Sequence, residues 1–521
     1  MASTGSLDNQ GTGVSPAQTV NPTKDGGSYR QILKSATLVG GSSVINILLG
    51  IIRTKAMALL LGPVGVGLIG TYYSITEMVR AVASMGINDS GVRQISQAVA
   101  TADELRVART VITLRRVALV LGAAGALALL LFSGPICRMT FGNTDRIWPL
   151  AILSVTILFA AVSGGQATLI QGMRRIGDLA KMTVLGGLYG TVFSIPIVYF
   201  LGERGIVPFL VSVSAMSMLT SWWYARGIRI AGVRIRWAET WTEASALLRL
   251  GFVFLASGVM SAAVAYLVRA ILMHRVGLEA VGLYQAASTL SGLYIDFILT
   301  AMGRDFYPRL TAAAQDDAAC NRLVNEQTEV GLLLAAPGIL ATLSFTPLVL
   351  GMFYTSKFGP AAEVLRWMAL GLLLRVASWP MLILLPARGE SKWFFAIQFA
   401  ANVVHLSLIY FGISYWGLVG TGMATVGLYL FYCCATFMIL RRLSGFALSA
   451  ANMRLGALIL STTLLVFLLF STSNVQKAVW IGGFLTFAIG IYSLRKLYVL
   501  GGKELVSSFW QKLLTASSGA H

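Results

Sequence analysis

Polar residues in this chain are grouped between long apolar runs rather than alternating with apolar ones. Fourteen runs approach the length of about 20 residues that lets a helix cross the hydrocarbon of a bilayer: 32–59, 64–86, 111–134, 147–171, 182–201, 205–225, 250–273, 279–303, 328–352, 361–386, 393–413, 416–440, 454–472 and 477–494. The runs are continuous and lack a period of two, so the pattern predicts transmembrane helices and not barrel strands. Residues 1–29 are rich in Gly, Ser, Thr and Asn and contain no apolar core of signal-peptide length. They are predicted to form a disordered tail with no cleaved signal.

Composition fits this reading. Of 521 residues, 56% are hydrophobic and only 12% charged, against about 45–50% and about 25% in soluble domains. A soluble enzyme, a disordered regulator and a disulfide scaffold are excluded. Cys137 and Cys320 stand alone and Cys433 and Cys434 are adjacent, which is neither a metal spacing nor a paired framework.

The net charge of +19, from 40 Lys and Arg against 21 Asp and Glu, is unevenly placed. With a cytoplasmic N-terminus, 28 basic residues fall in inward loops and 6 in outward loops. The positive-inside rule then predicts that both termini are cytoplasmic. The basic residues are spread over many short loops, so no nucleic-acid partner is expected. In the inward loop 226–249, Trp237 and Trp241 lie one turn apart, followed by Leu248, with Glu239 and Glu243 on another side. This suits a short interfacial helix linking two bundles.

The chain also repeats itself. Gly62-Pro-Val-Gly-Val66-Gly67-Leu68 recurs as Gly277-Leu-Glu-Ala-Val281-Gly282-Leu283. Phe132-Ser-Gly-Pro135 corresponds to Phe345-Thr-Pro347, Gly172 to Gly389, and Gly205-Ile-Val207 to Gly417-Leu-Val419, all at offsets of 212 to 217. The expected fold is all-α, with two parallel six-helix repeats around a central cationic cavity and two added C-terminal helices. The expected organisation is a tail at 1–29, bundles at 30–226 and 250–442 joined by a linker at 227–249, two extra helices within 443–497 and a cytoplasmic tail at 498–521. Nothing resembles the selectivity-filter loop of a channel.

Charges inside the spans are the candidate chemistry: Arg53, Lys55, Glu77, Arg80, Arg269, Asp296, Arg366 and Arg375. Each would cost roughly 2.5–3.5 kcal/mol at a helix centre facing lipid, so each is expected to face protein or water. Ser42, Asn46, Gly50 and Arg53 form a polar seam on the first span, and Tyr73, Glu77, Arg80 and Ser84 one on the second. Ser257, Ser261 and Arg269 mark the seventh span, and Gln285, Ser288, Gly292 and Asp296 the eighth. Several of these charges have a plainer reading. Glu77 and Arg80 can neutralise each other, Asp296 can pair with an Arg on a facing helix, Lys55 and Arg366 can snorkel outward, and His405 reads as a core residue. Arg375 has no carboxylate nearby in the sequence and, with Arg53 and Arg269, gives a cationic cavity. Such a cavity fits an anionic, phosphate-bearing cargo, whose oxygens match the guanidinium fork. No Walker A sequence, nucleophile-base set or metal spacing is present, so the chain is not read as an enzyme and no cofactor is expected.

The duplicated halves, LLGPVGVGLIGTYYSI at 60–75, SMGINDSGVRQIS at 84–96, WGLVGTGMAT at 416–425 and the polar spans one, two, seven and eight resemble the multidrug/oligosaccharidyl-lipid/polysaccharide (MOP) exporter superfamily. Within it, the chain resembles the polysaccharide transporter family of Wzx-type O-antigen flippases. The resemblance covers roughly residues 30–442. It implies alternating-access transfer of an undecaprenyl-pyrophosphate-linked oligosaccharide from the cytoplasmic to the periplasmic leaflet of a bacterial inner membrane, for O-antigen, capsule or exopolysaccharide synthesis. It also implies a polysaccharide polymerase and a chain-length regulator as partners. Pyrophosphate contacts would fall on Arg53, Arg269 and Arg375, with Arg80 weaker. Asn46, Glu77, Gln285 and Asp296 would be the other polar groups of the lumen, and Glu77 or Asp296 could couple transport to a proton or sodium gradient. A lipid II flippase and a cation-coupled multidrug exporter are the alternatives.

Overall fold

The computed structural model describes residues 25–502 except 102, 229, 231, 232, 234 and 473, with side chains from Gly41 onward apart from a few positions near 242–254 and at 501–502. Residues 1–24 and 503–521, which hold most of both expected tails, lie outside the described residues, as do Arg229 and Arg234. The first helix begins at Asp25, inside the stretch expected to be a disordered tail. A helix established by an apolar run extends upstream at little cost, because only nucleation is expensive.

Sixteen α-helices follow one another, with no strand among the described residues. They are α1 (Asp25–Ser84), α2 (Ile87–Ala100), α3 (Glu104–Leu131), α4 (Ser133–Phe141), α5 (Ile147–Gly172), α6 (Ile176–Leu201), α7 (Ile206–Arg226) and α8 (Trp237–Arg275). Then come α9 (Leu278–Ala312), α10 (Asp317–Ser344), α11 (Thr346–Phe353), α12 (Ala361–Ala387), α13 (Ser391–Trp416), α14 (Val419–Ser444), α15 (Ala450–Thr472) and α16 (Val475–Leu497). Eleven stretches are long and apolar enough to span a membrane, or twelve if α10 and α11, bent by 82°, form one broken span. Two of these stretches, Gly41–Ser84 and Ile176–Arg226, contain a backbone break, which is compatible with the fourteen spans expected.

The first break shows how the sequence sets the turn. Gly62 takes φ 65°, ψ −167° and is followed by Pro63. A left-handed glycine ends one helix, and proline, needing no N–H partner, opens the next. The positive-φ glycine recurs 215 residues later, where Gly277 (φ 110°) precedes α9 with Leu278 in place of the proline. Gly202 and Gly417 also share a geometry, φ 57° with ψ −134° and −137°, again 215 apart. Arg174 (φ 56°) and Gly389 (φ 80°) are another pair at that offset. Asp103 and Asp316, 213 apart, each cap the following helix through the carboxylate. Backbone geometry therefore aligns Arg174 with Gly389 and Gly202 with Gly417. This corrects two of the sequence matches by two and three residues, because left-handed turns, not residue identity, are what repeats.

Side-chain exposure matches a bilayer. Trp148, Phe200, Tyr415 and Trp480, at 77–80% exposure, ring one end of the helices, and Trp222, Trp223, Trp237 and Trp241 gather at the other. These are the positions of interfacial aromatic belts. By contrast, 67% of the apolar window of α12 is buried, so this helix is enclosed by protein.

The linker differs from the short interfacial helix expected. Trp237 opens α8, which runs 39 residues without interruption to Arg275. Ala238, Glu239, Glu243 and Ala244 lie in a stretch that holds neither Gly nor Pro before Gly251, so nothing stops the helix. Its first turns are clasped to α3. Arg116 Nη1 donates to Ile235 O (2.9 Å) and Thr240 Oγ1 (2.8 Å), its guanidinium lies 4.9 Å from the Trp237 ring, and Thr113 Oγ1 donates to Glu243 (3.1 Å). Arg116→Ala is expected to destabilise the protein by about 1.5–3 kcal/mol, the range for hydrogen bonds to a charged group. Thermal unfolding in detergent would show this, and an unchanged midpoint would rule out a role for the clasp in stability.

Candidate functional site

α1 packs against both α8 and α9. The closest approach is made by repeat equivalents: a Cβ on Gly282 would fall 1.8 Å from Pro63 O, and one on Gly67 would fall 2.3 Å from Leu278 O. Small residues allow this crossing where lipid supplies no hydrophobic drive between helices.

Beside the crossing lies a cavity of about 390 Å³. Arg53, Tyr73, Glu77 and Arg80 of α1, Gln285 and Thr289 of α9, and Tyr354 after α11 are among its lining residues. Arg80 binds Glu77 on its own helix through two nitrogens, Nε at 2.9 Å and Nη2 to the other oxygen. Arg269 donates to Gln285 Oε1 from Nε (3.2 Å) and Nη2 (2.6 Å), and from Nη1 to Ala265 O (2.7 Å). These acceptors are neutral, so its charge stays uncompensated. Arg53 has no carboxylate partner among the described residues. Tyr73, 58% exposed, lines the same cavity between the positions of Arg53 and Arg80 on α1. Gly70 makes room for the Gln285 amide, which a Cβ there would meet at 2.9 Å.

A second cavity of about 520 Å³ shares Thr289 with the first and runs toward the end rich in basic residues. Ser43, Ile47, Ser288, Gly292, Asp296 and Arg304 are among its lining residues. Here the structure corrects the expectation for Arg375. Its Nη2 donates to Asp296 Oδ1 at 2.5 Å, so it is paired, through a residue 79 positions away that sequence proximity could not show. The Tyr284 ring lies 6.0 Å from the Arg269 guanidinium and the Tyr429 ring 5.9 Å from that of Arg375.

Asn46 is not brought into the lumen. Its amide donates to Ser42 O (2.9 Å) and its Oδ1 is turned to Gly187 of α6, while Ser43 and Ile47 face the cavity instead. The seam on the first span is therefore displaced by one residue at this end. Lys55 does not simply snorkel: it donates to Gly351 O at 2.6 Å and to Tyr354 O, capping the end of α11 from the opposite half of the chain. With Thr140–Tyr266 (2.8 Å) and His274–Met139 (2.7 Å), this ties the early and late helices at the end poor in basic residues. Arg366 lies 4.5 Å from the Phe470 ring, near the end of α15, with Nε buried and unpaired. His405 Nε2 is likewise buried without a partner. Arg304 joins the cavity although the sequence places it with the inward loops. Its spacing of eight from Asp296 was the available signal.

Residues 56–363, more than half of the chain, match the family described as polysaccharide biosynthesis protein. The chain belongs to that family. Among its relatives, the lipid III flippase of Escherichia coli (strain K12) is 23% identical over 427 residues, 79% of this chain and 99% of the relative. An inward-facing MATE family multidrug transporter of the MOP superfamily has the same fold, with TM-score 0.67, 15% identity, and coverage of 77% of this chain and 96% of that one. So does the lipid II flippase MurJ in an inward closed conformation, with TM-score 0.67, 14% identity, and coverage of 88% and 98%. The resemblance to the polysaccharide family therefore holds, and the fold is the one found in MOP superfamily transporters. This multi-pass membrane protein stands among transporters and flippases rather than enzymes.

Proposed function

We propose that the chain flips a saccharide linked to a polyprenyl diphosphate across a bacterial inner membrane, supplying O-antigen, capsule or exopolysaccharide synthesis. One observation carries the reading. Arg53 lines the cavity and Arg269, from the opposite half of the chain, donates to the Gln285 that lines it, and neither arginine has a carboxylate partner among the described residues. Two uncompensated guanidiniums beside a hydroxyl- and amide-bearing wall suit a diphosphate and its first sugar. The prenyl tail stays in lipid. Taking the basic end as cytoplasmic, the ties through Lys55, Tyr266 and His274 close the periplasmic side, and the cavity with Arg304 opens inward. Rocking of the bundles, residues 30–226 against 250–442, would exchange the two openings. A polymerase and a chain-length regulator would then take the cargo.

A cation-coupled drug exporter fits less well, because both lumen carboxylates, Glu77 and Asp296, are held by arginines. Lipid II carries the same diphosphate and is the alternative cargo. In a strain lacking its own copy, the wild-type chain is expected to restore surface polysaccharide and the Arg53→Ala/Arg269→Ala double variant is expected not to, at equal membrane abundance. Full restoration by the double variant would overturn the reading. Restoration of growth in a strain depleted of its lipid II flippase, with no effect on surface polysaccharide, would move the assignment to the peptidoglycan precursor.

A further inference from the structure

One face of α9 connects the two cavities. Gln285, Thr289, Gly292, Asp296, Thr300 and Arg304 recur at steps of four, three, four, four and four, and each lines one cavity or both. The middle of this face is unusual. Asp296 Oδ1 accepts a single hydrogen bond from Arg375 Nη2, although arginine has five N–H donors. The carboxylate side chain is 57% exposed to the cavity and the arginine 27%. Asp296 Oδ2 leans over Gly292, where a Cβ would come within 2.8 Å. Eight residues away, about 12 Å along the helix, Arg304 is exposed at the basic mouth with no carboxylate partner among the described residues.

We propose that Arg304, Asp296 and Arg375 form a transfer station for the diphosphate, in which Asp296 is a stand-in anion that occupies Arg375 until phosphate oxygens arrive by way of Arg304. This rests on the cationic-lumen reading above and adds to it a site where binding is weak by construction. An incoming diphosphate takes the Arg375 donors from a carboxylate already in place. When it moves on toward Arg269 and Arg53, Asp296 returns and no bare guanidinium is left to hold the cargo back. Each exchange replaces one anion by another at the same donors, so the barrier between stations stays low. A side chain at Gly292 would crowd this carboxylate, whose Oδ2 a Cβ would meet at 2.8 Å, and so would weaken its hold on Arg375.

Inorganic pyrophosphate binding to the full chain in lipid nanodiscs tests the station. Asp296→Asn keeps the side-chain shape but removes the competing charge, and is expected to tighten binding by about tenfold, the equivalent of roughly one charge-assisted hydrogen bond. Gly292→Ala should tighten it in the same direction without altering any charge. In an export assay, Arg304→Ala should raise the half-saturating concentration of lipid-linked donor and leave the maximal rate unchanged, with Arg304→Lys partly restoring it. The station is wrong if Asp296→Asn and Gly292→Ala bind pyrophosphate no more tightly than wild type, or if Arg304→Ala leaves half-saturation unchanged. If at the same time Arg53→Ala and Arg269→Ala abolish binding, the lumen reading stands without the station. If the wild-type chain itself binds no pyrophosphate, the lumen reading falls with it.

Discussion

Arg53→Glu is expected to abolish export, the largest effect of any single substitution in the cavity. Arg53 faces the cavity with no carboxylate to neutralise it, so all of its charge is available to cargo. A carboxylate about 4 Å from a phosphate oxygen would turn attraction into roughly 4 kcal/mol of repulsion at an effective dielectric of about 20, on the order of a thousandfold in affinity. Arg53→Ala, which loses only the charge-assisted contact, should cost about ten- to a hundredfold, and Arg53→Lys should fall between wild type and Ala because a point charge replaces a fork. The graded series is read as surface polysaccharide restored in a deletion strain, normalised to membrane abundance. Wild-type export by Arg53→Glu would refute the cationic lumen outright.

Gly282→Leu should have the second large effect, on the closed end and not on cargo affinity. Even a Cβ at this position would lie 1.8 Å from Pro63 O, a backbone atom that cannot rotate away. Overpacking of this kind typically costs about 1–3 kcal/mol, and here the strain is relieved only by parting α1 from α9. That parting withdraws Lys55 from the α11 carbonyls. In a background lacking Cys137, Cys320, Cys433 and Cys434, a cysteine at Thr54 is expected to resist an impermeant maleimide from the side poor in basic residues, and to be labelled when Gly282→Leu is added. Continued shielding at normal abundance would show that the crossing does not govern closure.

How far the sequence revealed this molecule can be judged from particular residues. Apolar length located the spans, because lipid demands continuous apolar helix. It missed the parts that leave the hydrocarbon: α8 begins at Trp237, thirteen residues before its apolar run, and α9 continues to Ala312. Gly62 and Gly277 were legible because a left-handed turn needs glycine. The match of Gly389 to Arg174 was not, since a non-glycine residue holds the same φ in one copy. The helical seams placed Glu77, Arg80, Gln285 and Asp296 on cavity walls, since spacing along one helix determines a face. Partners across helices stayed hidden: the acceptors of Lys55 are 296 and 299 residues away and that of Arg375 is 79. Asn46 shows the remaining weakness, because a seam read one residue out of phase turns a lumen group into a helix contact with Gly187.

The two ion pairs of the lumen are alike in charge but not in mechanics. Glu77 and Arg80 sit on one helix, so a ligand that separates them changes side-chain rotamers and moves no backbone. Asp296 and Arg375 join α9 to α12, so a ligand that separates them removes one tie between two helices that also share an apolar core. A chain built from two similar copies is therefore asymmetric in its ion pairs: on the cationic-lumen reading, cargo at the first pair would meet a fixed wall, and cargo at the second would loosen a tie between helices.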